Sequence, residues 1–180
     1  MGRSGVGKSA IAQILSFKYG LSEIKSYTDR PKRYAEEKGH IFCSKEEFDQ
    51  RVANLVAYTE FDDCRYGVTE EQIAHNDIFV CDLAGIEYLE KHYHGGKKIV
   101  VFCISANLPN RIHRMRARGD SDRAILGRLE NDFYKYPTAK MKMAAQHCIL
   151  TDDCSAVEAA DTIYNWVKLY EKKDERRNAQ

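Results

Sequence analysis

Lys8 and Ser9 close the run Gly2-Arg3-Ser4-Gly5-Val6-Gly7-Lys8-Ser9. It fits the spacing Gly, four residues, Gly-Lys and Ser or Thr of a phosphate-binding loop (Walker A). Each residue type has a chemical reason. Glycines accept positive φ and close backbone approach, so successive N–H groups can turn inward around phosphate oxygens. Lys8 brings a mobile point charge to the outer phosphates, and the Ser9 hydroxyl can complete a Mg2+ shell. The bland alternative is a Gly-rich turn that opens a helix and holds nothing. The residues that follow favour the ligand: Ile11, Ile14 and Leu15 have helical spacing and set a helix N-terminus against a bound anion.

Arginine supplies the other candidate chemistry, because its planar fork binds phosphate bidentately and stays protonated. Thr28-Asp29-Arg30-Pro31-Lys32-Arg33 is a charged loop around a proline. It reads as an anion clamp or as a solvated turn. The arginines from Arg111 to Arg128 read as phosphate ligands, or as a solvated helix face paired with Asp120, Asp122 and Glu130. Nucleic-acid binding is disfavoured by those acidic neighbours and by a net charge of only +1. His92 and His94 flank one residue on a helix end and do not share a face, so they read as a surface turn, not a metal site. His40 is either a plain loop residue or an anion contact. Phe133-Tyr134-Lys135-Tyr136-Pro137 is expected to be a helix end packed on the core.

These residues need elements to hold them. Gly20 stops the first helix, and Ser22–Thr28 reads as extended. Ser44-Lys45-Glu46-Glu47 and Thr69-Glu70-Glu71-Gln72 are capping boxes. Strands are expected at Leu55–Phe61 and around Tyr66-Gly67-Val68, making 26–70 a strand-rich insertion. Buried parallel strands are expected at Asp77–Asp82, Lys98–Ile104 and Cys148–Thr151. Helices are expected at Ala84–His92, at 108–118 and 121–135, and at Ala156–Tyr170, followed by a frayed tail over Lys172–Gln180. Strand–helix alternation around a phosphate loop predicts a parallel α/β sheet with ligands at the strand C-ends. A phosphate loop ordinarily follows a buried strand, and only Met1 precedes Gly2. The expectation is a native strand upstream of Met1.

At 180 residues, 43% hydrophobic and 31% charged, the chain has the make-up of one soluble enzyme domain. Cys43, Cys64, Cys81, Cys103, Cys148 and Cys154 show no C-x-x-C spacing. Cys81 and Cys103 sit in apolar runs and read as small buried hydrophobes in a reducing compartment. No apolar stretch approaches the ~20 residues of a membrane span. The expected location is the cytoplasm, with neither membrane nor nucleic acid as partner and a monomer or homodimer as the assembly.

From Gly2 to about Val167 the chain resembles the guanylate kinase family of nucleoside monophosphate kinases. The likeness rests on the phosphate loop, on Thr28–Arg33 followed by Glu36 and Gly39, and on Tyr66-Gly67. It extends through Asp82-Leu83-Ala84-Gly85, Arg114-Met115-Arg116-Ala117-Arg118-Gly119 with Arg128-Leu129, and Thr151-Asp152-Asp153. The resemblance implies a P-loop kinase fold, with a parallel core sheet flanked by helices, an inserted acceptor-binding subdomain and a helical lid. It assigns 1–25, 71–109 and 136–180 to the core, 26–70 to the acceptor subdomain and 110–135 to the arginine-rich lid. It implies ATP and Mg2+ as cofactors and small nucleotides as substrates. Arg3, Ser4, Gly5, Val6, Gly7, Lys8 and Ser9 would bind ATP, while Lys8, Arg114, Arg118 and Arg128 would neutralise the transferring group. Ser26, Arg30, Arg33, His40, Tyr66 and Asp82 would hold the acceptor, and Ser9 and Asp82 would face the metal.

Three departures from the family stand out. Ala57 precedes Tyr58 where the family has a guanine-reading glutamate, and Val68 follows the Tyr-Gly pair where a Ser or Thr contacts the base. After Gly39 two residues are absent, and His40 stands about where a phosphate-holding tyrosine belongs. Glu60 could replace the missing glutamate if the strand register shifts. The resemblance implies GMP as acceptor. The departures leave open a relative that phosphorylates ribose 1,5-bisphosphate. A non-catalytic guanylate-kinase-like module is a further alternative, set against the intact Lys8 and Ser9.

Overall fold

The computed structural model describes residues 1–32 and 34–178, the side chains of 177 and 178 excepted. In chain order the helices are α1 (Lys8–Tyr19), α2 (Lys45–Asp49), α3 (Glu70–His75), α4 (Leu83–His92), α5 (Leu108–Ala117), α6 (Asp122–Lys135), α7 (Thr138–Ala144) and α8 (Ala156–Asn178). The strands are β1 (Tyr27–Thr28), β2 (Ile41–Phe42), β3 (Leu55–Phe61), β4 (Cys64–Thr69), β5 (Phe102–Ser105) and β6 (His147–Leu150). The chain forms two compact units, Met1–Leu21 with Ile99–Gln180, and Ser22–Lys98. Residues 71–98 lie in the same unit as the strand-rich 26–70 segment.

In the first unit, α1 begins after Gly7 and stops at Gly20, which is left-handed (φ 69°) and returns its N–H to Ser16. Glycine takes that conformation without the Cβ penalty. Helix α1 buries Ile11, Ala12 and Leu15. Its last turn is fastened to α8 by stacked Tyr19 and Tyr164 rings (centroids 3.7 Å apart) and by Lys18 donating to Asp161 at 2.7 Å. Strands β5 and β6 form a two-stranded parallel sheet, Cys103 opposite Cys148. Met1 lies alongside β5: its ammonium donates to Phe102 O, and its carbonyl accepts from Ile104 N.

The second unit carries a four-stranded sheet in the order β2-β1-β4-β3. Strands β3 and β4 pair antiparallel, with a register irregularity between Leu55 and Ala57. Ile24, Val56, Ala57, Val68, Ile73 and Leu89 form its core. Both capping boxes are present, Ser44 with Glu47 starting α2 and Thr69 with Gln72 starting α3.

Several expectations change. Asp77–Asp82 is not a strand; only Ile78 forms an isolated parallel bridge, with Glu23. The strand expected at Lys98–Ile104 begins at Phe102, because β6 offers ladder partners only there, and Ile99 is exposed. The expected frayed tail is helical to Asn178. Phe133 and Tyr134 do not pack on the core but stand 75% and 79% exposed. Cys103 is buried as expected, whereas Cys81 is only partly so.

Candidate active site

The first unit places a glycine loop with positive-φ turns directly before α1. Gly5 and Gly7 have φ of 78° and 98°, which only glycine adopts without strain. They serve different ends. A Cβ at Gly5 would sit 2.6 Å from the Arg111 carbonyl oxygen, so this glycine lets the loop lie against α5. A Cβ at Gly7 would meet nothing within 4 Å. That residue is the N-cap of α1 and brings no side-chain cap, so the free N–H groups of the first turn are left for a ligand. Ser9 is exposed in that first turn.

Lys8 folds over the loop and donates from Nζ to the Gly2 and Arg3 carbonyls at 2.7 and 2.9 Å. Burial lowers its pKa to about 8; the carboxylate of Asp132 opposes that shift, and the charges of Arg111, Arg118 and Arg128 add to it. Two of the expected lid arginines, Arg118 and Arg128, are thus within electrostatic reach of Lys8. Both also bond Asp120, at 2.6 and 3.2 Å. Arg114 has a different engagement. Its guanidinium donates to Thr151 Oγ1 at 2.8 Å and to the Thr151 carbonyl, and reaches the Val6 carbonyl at 3.4 Å. Arg3 donates to Tyr136 O at 2.7 Å and to Thr138 Oγ1 at 3.1 Å.

The buried pair Arg111–Asp132 was not singled out from the sequence. Asp132 accepts from Arg111 Nη2 and, at 2.9 Å, from the Ser4 backbone N–H; it also bonds Ser4 Oγ at 3.1 Å. Arg111 Nε in turn donates to Ser4 O at 2.8 Å. One ion pair between α5 and α6 therefore grips both backbone groups of a loop residue. The available signal was the burial spacing of α6, where Asp132 follows Ile125 by seven residues on the same face.

The second unit brings Ser26, Arg30, His40 and Tyr66 together. Ser26 Oγ lies 2.9 Å from His40 Nδ1, and the His40 ring meets the edge of Tyr66 with centroids 5.4 Å apart. Glu37 raises the pKa of Arg30 against the opposing effect of burial, and Tyr66 adds to the rise. Arg30 is held bidentately by Glu37, at 2.7 and 3.3 Å. Arg33 lies outside the described residues. Asp82 accepts from the Gly85 N–H as N-cap of α4, at 2.8 Å, and from Thr59 Oγ1, also at 2.8 Å. Thr59 is the cross-strand partner of Tyr66, so Asp82 joins the edge of the same cluster.

The strand register also places Ala57 and Val68, the two departures from the resemblance. Ala57 and Val68 are direct partners, 1% and 0% exposed, and belong to the apolar core cluster. Glu60 pairs with Arg65, and its carboxylate accepts from Tyr58. Pairs 57/68 and 59/66 share one face of the hairpin, and 58/67 and 60/65 share the other. Glu60 therefore does not stand in for the missing glutamate.

A glycine loop that opens a helix beneath a lysine and arginines, in a mixed α/β fold, defines a P-loop kinase fold. Comparison with known proteins agrees. No family model matches the chain. The guanylate kinase of Fusobacterium nucleatum is 26% identical, over 72% of this chain and 75% of the relative. That of Latilactobacillus sakei is 25% identical, over 95% of this chain and 84% of the relative. The crystal structure of guanylate kinase from Anaplasma phagocytophilum has the same fold, with a TM-score of 0.63 and 19% identity over 94% of this chain and 83% of that one. Together these likenesses support the guanylate kinase family for this chain.

Proposed function

We propose that the chain transfers the γ-phosphoryl group of Mg-ATP to the phosphate of a nucleoside monophosphate, with GMP as the acceptor that its likeness to guanylate kinases suggests. The observation that carries this reading is Lys8, held over a positive-φ glycine loop with Arg118 and Arg128 within electrostatic reach. Phosphoryl transfer needs positioning and charge stabilisation, not a protein nucleophile. In this reading residues 3–9 bind the ATP phosphates, and the arginines of α5 and α6 act as the lid. Ser26, Arg30, His40 and Tyr66, together with Arg33, receive the acceptor phosphate within the 26–70 subdomain.

Magnesium fits the donors present. It keeps several waters and takes few protein ligands beside substrate phosphates. The exposed Ser9 hydroxyl, in the first turn of α1, supplies such a ligand. The ion would neutralise charge on the phosphates.

The apolar pair Ala57–Val68 favours a second reading, in which the acceptor is a sugar bisphosphate such as ribose 1,5-bisphosphate. Neither side chain can hydrogen-bond a base edge, and each lost charged contact removes about 1.5–3 kcal/mol of discrimination. The test is isothermal titration of GMP, AMP and ribose 1,5-bisphosphate into the protein with a non-hydrolysable ATP analogue. The first reading predicts GMP binding with weak preference over AMP. Binding of the sugar bisphosphate alone selects the second.

A further inference from the structure

We propose that Cys103 and Cys148 form an oxidisable dithiol that a hydroperoxide converts into an intrachain disulfide joining β5 to β6. The two residues are direct partners in the parallel ladder, so their side chains leave the same face of the sheet. Neighbouring strands lie about 4.8 Å apart, within the roughly 4.4–6.8 Å Cα separation that disulfides span. Both are free thiols. The neighbouring rung, Phe102 opposite His147, faces the other side of the sheet, where the His147 ring stacks on Phe102 and Trp166.

Exposure divides the roles. Cys148 is exposed and Cys103 is 4% exposed. The Cys148 thiolate attacks the peroxide: an S–O bond forms, the O–O bond breaks, and the departing oxygen leaves as water or alcohol. Cys103 then attacks the Cys148 sulfenic sulfur; the S–S bond forms, the S–O bond breaks, and the Cys103 proton leaves with hydroxide as water. Two electrons pass from the thiols to the peroxide. Burial pushes the Cys103 thiol pKa up, so the second step quickens as pH rises. The bond closes a loop containing α5, α6 and α7. It also anchors β6 three residues before Thr151, whose hydroxyl bonds Val6 O of the phosphate loop.

The experiment treats the whole protein with hydrogen peroxide, blocks remaining thiols with iodoacetamide, and maps peptides by mass spectrometry. The expected product is a peptide pair linked through Cys103 and Cys148, two hydrogens lighter than its parts and separated by dithiothreitol. Cys148→Ser, at an exposed position, retains the native circular dichroism and leaves Cys103 alkylatable after unfolding. Three outcomes overturn the proposal: Cys148 oxidised to sulfinic acid beside a free Cys103, a disulfide to another cysteine, or both thiols unchanged.

Discussion

Lys8 makes the reading of the loop measurable. Its pKa of about 8 means that the free protein loses that charge in the mildly alkaline range. A polyphosphate favours the protonated lysine, so above pH 8 binding must take up a proton, and the ATP dissociation constant rises with pH. Titrations from pH 6.5 to 9.5 are expected to be flat at first and then to climb up to tenfold per pH unit. Lys8→Arg removes the inflection, because arginine does not deprotonate in this range. In the acceptor cluster, Tyr66→Phe and His40→Ala are expected to weaken acceptor binding by about 1–3 kcal/mol each, read by calorimetry, with ATP binding unchanged.

The helices show what holds the loop in shape. Asp132 and Arg111 are 4% and 5% exposed and share their hydrogen bonds with Ser4. Removing one partner strands a buried charge and costs about 3–5 kcal/mol. Asp132→Asn is therefore expected to lower the midpoint by roughly 6 °C or more in a thermal melt, and Arg111→Met/Asp132→Leu to lose less than the single Arg111→Met. Ser44→Ala is expected to cost about 1 kcal/mol through the lost cap of α2. Such caps were legible in the sequence because they are local: four consecutive residues contain both partners. The phosphate loop was legible for the same reason. Strand limits were not. Val101 and Ile78 have strand-like neighbours in sequence, but a strand exists only where another offers a ladder, and β6 pairs no further back than Phe102. The Arg111–Asp132 contact stayed hidden because it depends on how α5 and α6 face each other, which neither helix encodes alone. Phe133 and Tyr134 misled for the converse reason: their bulk suggested burial, but the buried face of α6 is that of Ile125 and Asp132.

Taken as a whole, the molecule divides its chemistry between two units, each with its own buried interior. One carries the loop, Lys8, Arg114, Arg118 and Arg128; the other carries Ser26, Arg30, His40, Tyr66 and Asp82. That division suits a reaction with two phosphate-bearing substrates. The likeness to guanylate kinases covers nearly the entire chain, while the register of β3 and β4 pairs the apolar Ala57 and Val68. The most direct measurement is ADP release from Mg-ATP, coupled to NADH oxidation, with GMP, dGMP, AMP, UMP and ribose 1,5-bisphosphate in turn. The proposed function predicts release that depends on an added acceptor, discriminates weakly among bases and disappears in Lys8→Ala with the fold intact. ADP release with none of these acceptors, from a protein that still binds ATP, would contradict it.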